Sequence, residues 1–415
     1  MQDNSKQIKD SKFFLVKKKL KEKQTFIILI LIILLALFWR IYEINVFPKG
    51  LSNLELGYLR KMADISKNHW FIQAPDITNA IYLYLFAFLG KITAFNILLL
   101  RIFQVLIGTL TVYLFYLFAK EWFNKQIALL SALFLAVTSF HVAVSRVIEP
   151  AILTPLFIIL LSYLLTIALR TGRKINFLLL GLFSALAFYV DKLFIFLPVL
   201  LIVFFVYFYY KTPKVFLKYW LSFIVFSVPF VLFLLPYLFL LPINISKIAN
   251  YFDPGSFGQY FLNLGGNAQS LVYQSVPNQL FYVGLEPILS PFLAITFIVG
   301  IIYVLFHIDR RQYFYVFVLF LALLGTISLT NRQQTVNLLS LLPLALIFSS
   351  VILSYFLQNW LKTFPINQTA KIFLAFMLSI FIFLTVYYNY EAYFFAWGKS
   401  QAVQKLYTNT FDYKK

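Results

Sequence analysis

A chain of 415 residues that is 61% hydrophobic and only 12% charged cannot hide its apolar surface as a soluble globule, and its runs reach the roughly 20 residues a helix needs to cross a bilayer. Membrane barrels are excluded because their strands alternate and last about ten residues. The absence of cysteine removes disulfides and thiolate metal sites, and the net charge of +20 is too localised to mark a nucleic-acid surface.

Residues 1–24 form a basic cytoplasmic segment. Lys6, Lys9, Lys12, Lys17, Lys18, Lys19, Lys21 and Lys23 directly precede the apolar run from Thr25 to Ile44, a pattern that anchors a first crossing on the anionic leaflet. That run is too long for a cleavable signal peptide, and no small-residue cleavage site follows it. An outer loop then spans 45–98. Within it, Asn79 to Phe95 is apolar but interrupted by Gly90-Lys91, which fits a helix lying in the interface.

Further crossings follow near 99–119, 127–144, 151–169, 175–190, 193–210, 216–240, 287–306, 313–329, 335–357 and 372–390. This gives an all-α polytopic protein of about 11 transmembrane helices, with a transmembrane domain over 25–390. Lys120 to Lys125, Arg170 to Lys174, Lys211 to Lys214, His307 to Arg311 and Lys362 to Lys371 all fall inside, as the positive-inside rule requires. The outer face holds loops 45–98 and 241–286, short turns, and a carboxyl-terminal tail over 391–415. Pro155, Pro198, Pro229, Pro236 and Pro343 are expected to kink their helices.

On that outer face the topology gathers Glu55, Arg101, Arg146, Glu149, Asp191, Lys192 and Arg332. Carboxylates and cations at a membrane boundary are costly to desolvate and mark a site, although each alone could cap a helix or meet a headgroup. The chain has no cysteine nucleophile, no His-x-x-x-His pair and no glycine-rich phosphate loop. His69, His141 and His307 read as packing residues. What remains is a carboxylate that deprotonates an acceptor hydroxyl while guanidinium groups hold a phosphate leaving group.

The order of these pieces resembles lipid-linked-sugar glycosyltransferases of the GT-C fold, in particular the dolichyl-phosphate-mannose-protein mannosyltransferase-like family that includes aminoarabinose transferases. The resemblance is carried by Pro48 to Tyr58, Arg101-Ile102, Gly108-Thr109-Leu110-Thr111, Ser139-Phe140-His141, Ser145 to Glu149, Leu182 to Tyr189, and Thr330 to Leu342. It implies a polyprenyl-phosphate sugar donor, a hydroxyl acceptor on a lipid, glycan or protein, inversion at the anomeric carbon, and an active site outside the plasma membrane. It calls for no cofactor and leaves a divalent metal open. Arg101 corresponds to the family's phosphate-binding arginine, Arg332 would be a second, and Arg146 would join them in holding the phosphate or neutralising the carboxylates. The chain departs from the family where an Asp-Glu pair belongs: Ser52 and Asn53 stand there. Glu55 is then either the replacement base or a sign of a degenerate relative, which could serve as a lipid-linked glycan transporter or partner. Glu149 would be a positioning carboxylate.

Overall fold

The structure, a computed structural model, describes residues 2–68, 79–197, 213–275, 280–281, 286–330 and 335–412. In chain order the helices are α1 (Gln2–Ile41), α2 (Asn53–Asn68), α3 (Ala80–Ile92), α4 (Ile97–Trp122), α5 (Lys125–Val137), α6 (Ser139–Val144), α7 (Leu153–Thr171), α8 (Lys174–Ala187), α9 (Pro213–Tyr251), α10 (Phe257–Val272), α11 (Pro291–Phe306), α12 (Arg311–Ser328), α13 (Leu342–Thr363), α14 (Gln368–Tyr390) and α15 (Gln401–Leu406). Short 3-10 turns at Pro150–Ile152, Lys192–Phe196 and Thr335–Ser340, and a π-helix at Glu391–Trp397, join some of them. The isolated bridge Leu51–Asn409 is the one extended pairing among the described residues.

Local chemistry sets the helix starts. Asn96, Asn124, Ser256 and Asn367 each accept a backbone N–H three residues on, the N-cap interaction. The helix α7 ends on Gly172, whose φ of 66° is the left-handed C-cap that glycine adopts without strain. Packing then builds outward from α4, against which α1, α5 and α7 lie; α8 sits between α7 and α9, and α13 between α5 and α11. Two of these contacts require glycine. A Cβ at Gly181 would fall 2.1 Å from Phe226 O on α9, and one at Gly300 would fall 2.2 Å from Phe348 O on α13.

Among the described residues, six helical stretches are long and apolar enough to cross a membrane: Glu22–Ile41, Ile97–Trp122, Pro150–Thr171, Arg311–Ser328, Leu342–Thr363 and Gln368–Trp397. Apolar side chains face outward along α1 (Ile27, Leu31, Leu34, Phe38), α9 (Val228, Leu232, Phe239) and α14 (Phe373, Phe376, Phe383). Such belts are covered by hydrocarbon in a multi-pass membrane protein. Six of the eleven expected crossings thus coincide with helices that are long and apolar enough to span a bilayer. Shorter apolar helices, Lys125–Val137, Lys174–Ala187 and Pro291–Phe306, overlap the expected 127–144, 175–190 and 287–306; 216–240 falls within α9, and most of 193–210 lies outside the described residues. The 13 residues of α3 span about 20 Å, too short for a crossing.

Three expectations about helix form need correction. The run 127–144 is not one helix: it breaks at Thr138, whose extended backbone separates α5 from α6. Part of the expected loop 241–286 is helical, because α9 continues to Tyr251 and α10 follows. Pro155 and Pro343 sit in the first turns of α7 and α13, where a missing N–H costs nothing and no kink results.

The break at Thr138 is held from both sides. Arg40, fully buried near the end of α1, donates to Ala136 O (3.0 Å) and Leu135 O (3.5 Å), two carbonyls that the end of α5 leaves without helical partners. From the other side, Asn389 of α14 accepts the Ser139 N–H at 2.8 Å. The chain turns here, and α6 delivers Ser145 to Glu149 into the end of the bundle where α4 begins.

Candidate functional site

The first loop is folded around Glu55. Ser52 and Glu55 exchange side-chain and backbone bonds (Ser52 N–H to Glu55 Oε2, 2.9 Å; Glu55 N–H to Ser52 Oγ, 3.2 Å), a capping box that starts α2. The same carboxylate, only 1% exposed, accepts from Arg101 Nη2 at 3.2 Å and from the Ile148 N–H at 3.0 Å, both on Oε1. Arg101 also donates to Pro48 O (2.8 Å) and Gly50 O (2.7 Å). Sequence reasoning gave Glu55 to proton transfer and Arg101 to phosphate. The structure brings the two into a buried ion pair that ties the first loop to α4 and to the segment after α6.

Arg146 is fully buried beside them. Its Nη1 donates to Trp39 O (2.9 Å) and Tyr42 O (2.6 Å), its Nη2 to Phe47 O (2.8 Å), and its guanidinium lies 5.1 Å from the Tyr393 ring centre and 5.4 Å from that of Phe394. Arg40, absent from the sequence-based set, completes this layer through His141, whose Nδ1 is 2.7 Å from Arg40 Nη2. Arginine's planar fork suits this work: it satisfies several carbonyls that no helix could serve.

Glu149 differs from Glu55 in how few bonds hold it. Its carboxylate accepts the Ala151 N–H at 3.4 Å and a bond from Tyr58. Burial, with the charges of Glu55 and Asp191, pushes this carboxyl up to about 8. Its backbone carbonyl is fixed by Gln104 Nε2 at 2.8 Å, and Gln104 in turn accepts from Tyr82 OH at 2.9 Å. Gln104 could have been found in the sequence, since it stands one turn from Arg101 on the same helical face.

Asp191 and Lys192 complete the cluster. Thr154 Oγ1 donates to Asp191 Oδ2 (2.7 Å) and the Leu193 N–H to Oδ1 (3.0 Å), and burial raises the pKa of this half-buried carboxyl. Lys192 places its ammonium 4.2 Å from the ring centre of Tyr251, whose hydroxyl accepts from Asn337 Nδ2 at 2.8 Å. Arg332 and His69 lie outside the described residues.

Thr154 also heads an apolar cavity of about 70 Å³ between α7, α8 and α12. Ile158, Leu161 and Leu165 line one wall and Tyr315, Leu319 and Leu323 the opposite one. Thr154 therefore stands between the Asp191 carboxylate and this apolar cavity. Among the described residues no three His, Asp or Glu side chains converge as metal ligands.

Residues 80–232 match the sequence profile of the dolichyl-phosphate-mannose-protein mannosyltransferase family. The solved structures that resemble the chain include the Archaeoglobus fulgidus oligosaccharyltransferase in three states. For the complex with zinc and sulfate the identity is 16%, the TM-score 0.62, and the match covers 93% of this chain and 54% of that one. For the apo form the values are 14%, 0.59, 88% and 55%. For the complex with an inhibitory peptide and a dolichol-phosphate they are 13%, 0.57, 92% and 56%. This is a GT-C fold. The matched family and the solved neighbours are glycosyltransferases, and the chain spans little more than half the length of those neighbours. No curated protein matches.

Proposed function

We propose that the chain is an inverting glycosyltransferase that moves a sugar from a polyprenyl-phosphate donor to a hydroxyl on a lipid, glycan or protein at the outer face of the plasma membrane, with the basic amino-terminal segment on the cytoplasmic side. The reading is carried by one observation. The buried carboxyl of Glu149, the half-buried one of Asp191 and the ammonium of Lys192 meet at one end of the bundle, where Thr154 links Asp191 to an apolar cavity. The acceptor oxygen forms a bond to the anomeric carbon, the bond from that carbon to the phosphate oxygen breaks, the hydroxyl proton passes to a carboxylate, and the polyprenyl phosphate leaves. Lys192, Arg101 and Arg332 are the cations assigned to that phosphate, and Arg146 sets the loop beneath it.

The geometry favours Glu149 or Asp191 over Glu55 for the proton. Glu55 already accepts from Ser52, Ile148 and the Arg101 guanidinium, whereas Glu149 accepts from Ala151 and Tyr58, and Asp191 from Thr154 and the Leu193 and Lys192 N–H groups, all neutral donors. A carboxyl near 8 also exchanges its proton readily at working pH. The second reading keeps Glu55 as base; its place in the family's catalytic loop and its contact with Arg101 favour it. Sugar release from a panel of polyprenyl-phosphate sugars separates them. In the first case Glu149→Gln or Asp191→Asn lowers kcat by roughly 10²–10⁴-fold without lowering the melting temperature, and Glu55→Gln chiefly lowers the melting temperature. In the second, Glu55→Gln loses turnover while the protein stays equally stable. A wild type that binds such lipids and turns over none would overturn both and leave a non-catalytic relative.

A further inference from the structure

The end of the bundle away from this site holds a second polar cavity. Twenty-two residues of α4 and its C-cap, about 33 Å of rise, separate Arg101 from Phe123 at its edge. The cavity measures about 270 Å³ and lies where α5 and α12 begin and where α11 and α13 end. Arg310 and Lys362, both exposed, stand at its mouth, and the Arg310 guanidinium leans over Tyr313 at 5.8 Å.

Its walls are amides and hydroxyls. Gln358 Nε2 donates to Gln126 Oε1 (3.2 Å) and Ser354 Oγ (3.1 Å), which fixes the floor on buried Ser354. Asn124, Gln312 and Asn359 line the sides with Tyr303 and Tyr355, whose rings pack 4.5 Å apart. Among the described residues the lining holds two cations and no carboxylate, so the electrostatic preference is for an anion. Neutral donors in such number suit a ligand with several oxygens beyond its charge.

Large apolar side chains flank the same helix ends. Phe306 is 82% exposed, and Phe356 and Leu361 are exposed beside it on α11 and α13. A free anion has no use for that surface, whereas acyl chains would cover it. We propose that this cavity binds the headgroup of an anionic phospholipid, with the phosphate on Arg310 and Lys362, the headgroup hydroxyls on Gln312 and Asn359, and the acyl chains along Phe306 and Phe356. The site is separate from the sugar-transfer site and does not depend on that assignment.

Native mass spectrometry of the purified full chain, with phosphatidylglycerol or phosphatidylcholine added, tests this. Wild type should retain phosphatidylglycerol preferentially. The double variant Arg310→Gln/Lys362→Gln should reduce that retention roughly tenfold, with phosphatidylcholine unchanged. Asn359→Trp, which fills the cavity without removing charge, should reduce it as well. Arg173→Gln/Lys174→Gln removes two charges at the same end of the bundle but outside the cavity, and should leave retention intact. Three results would overturn the proposal: equal retention of the two lipids, equal loss in the Arg173/Lys174 variant, or full displacement of the lipid by millimolar glycerol phosphate, which would make the ligand a free anion.

Discussion

Burial and its acidic neighbours lift the Glu149 carboxyl from its ordinary 4.5 to about 8, so this side chain holds its proton at neutral pH. A folded-state value above the unfolded one favours folding fully below about 4.5, and this contribution disappears as pH rises through about 8. Glu149→Gln should therefore flatten the fall in melting temperature across that window, as thermal unfolding in detergent would reveal. If Glu149 takes the acceptor proton, wild-type kcat rises with pH toward the same value, and a profile flat through it would remove Glu149 from that step. Arg146 is a separate case. Its three carbonyl bonds cannot be reproduced by an ammonium, so Arg146→Lys should destabilise the fold by roughly 1–3 kcal/mol, measurable by chemical or thermal unfolding. The sequence located these charged residues at one end of the chain's topology but could not say which of them spend their hydrogen bonds on backbone. That depends on where Trp39, Tyr42 and Phe47 arrive, a matter of tertiary packing.

Helices were legible where apolar runs were long and bounded by charge, as in α4, α7 and α14. They were less legible where a helix ends inside the bundle. The break at Thr138 carries no glycine or proline, because Arg40 and Asn389 supply the partners a soluble protein would draw from water. The Ser52-x-x-Glu55 spacing is the sequence signature of a helix start, and the capping reading open to each of these charged residues holds for Glu55. Ser52→Ala should cost about 1 kcal/mol of stability through α2 alone, with a matching small drop in melting temperature. Gly300→Val places carbon against the Phe348 carbonyl and should cost roughly 1–3 kcal/mol by forcing α11 away from α13, detectable as a lowered melting temperature.

For the molecule as a whole, the alternation of basic and neutral loops predicts on which side each end of the bundle lies. The chain has no cysteine, so single cysteines report cleanly. An impermeant maleimide applied to intact cells should label Lys49→Cys and leave Lys174→Cys unlabelled; labelling of both, or the reverse, would refute the orientation. The segment 391–412, expected as a tail, packs instead against the site. Asn409 and Leu51 exchange backbone bonds at 3.0 and 3.1 Å, Asn409 Nδ2 reaches Leu51 O and Asn53 Oδ1, and Tyr407 OH bonds to Leu280 O. The loop that carries Glu55 is thus completed by residues made some 350 positions later. During synthesis, the crossings can enter the membrane one after another while that loop stays unfinished. The loop closes only after Asn409 has cleared the ribosome, so a nascent chain stalled before that point would be inserted with the Glu55 loop still open.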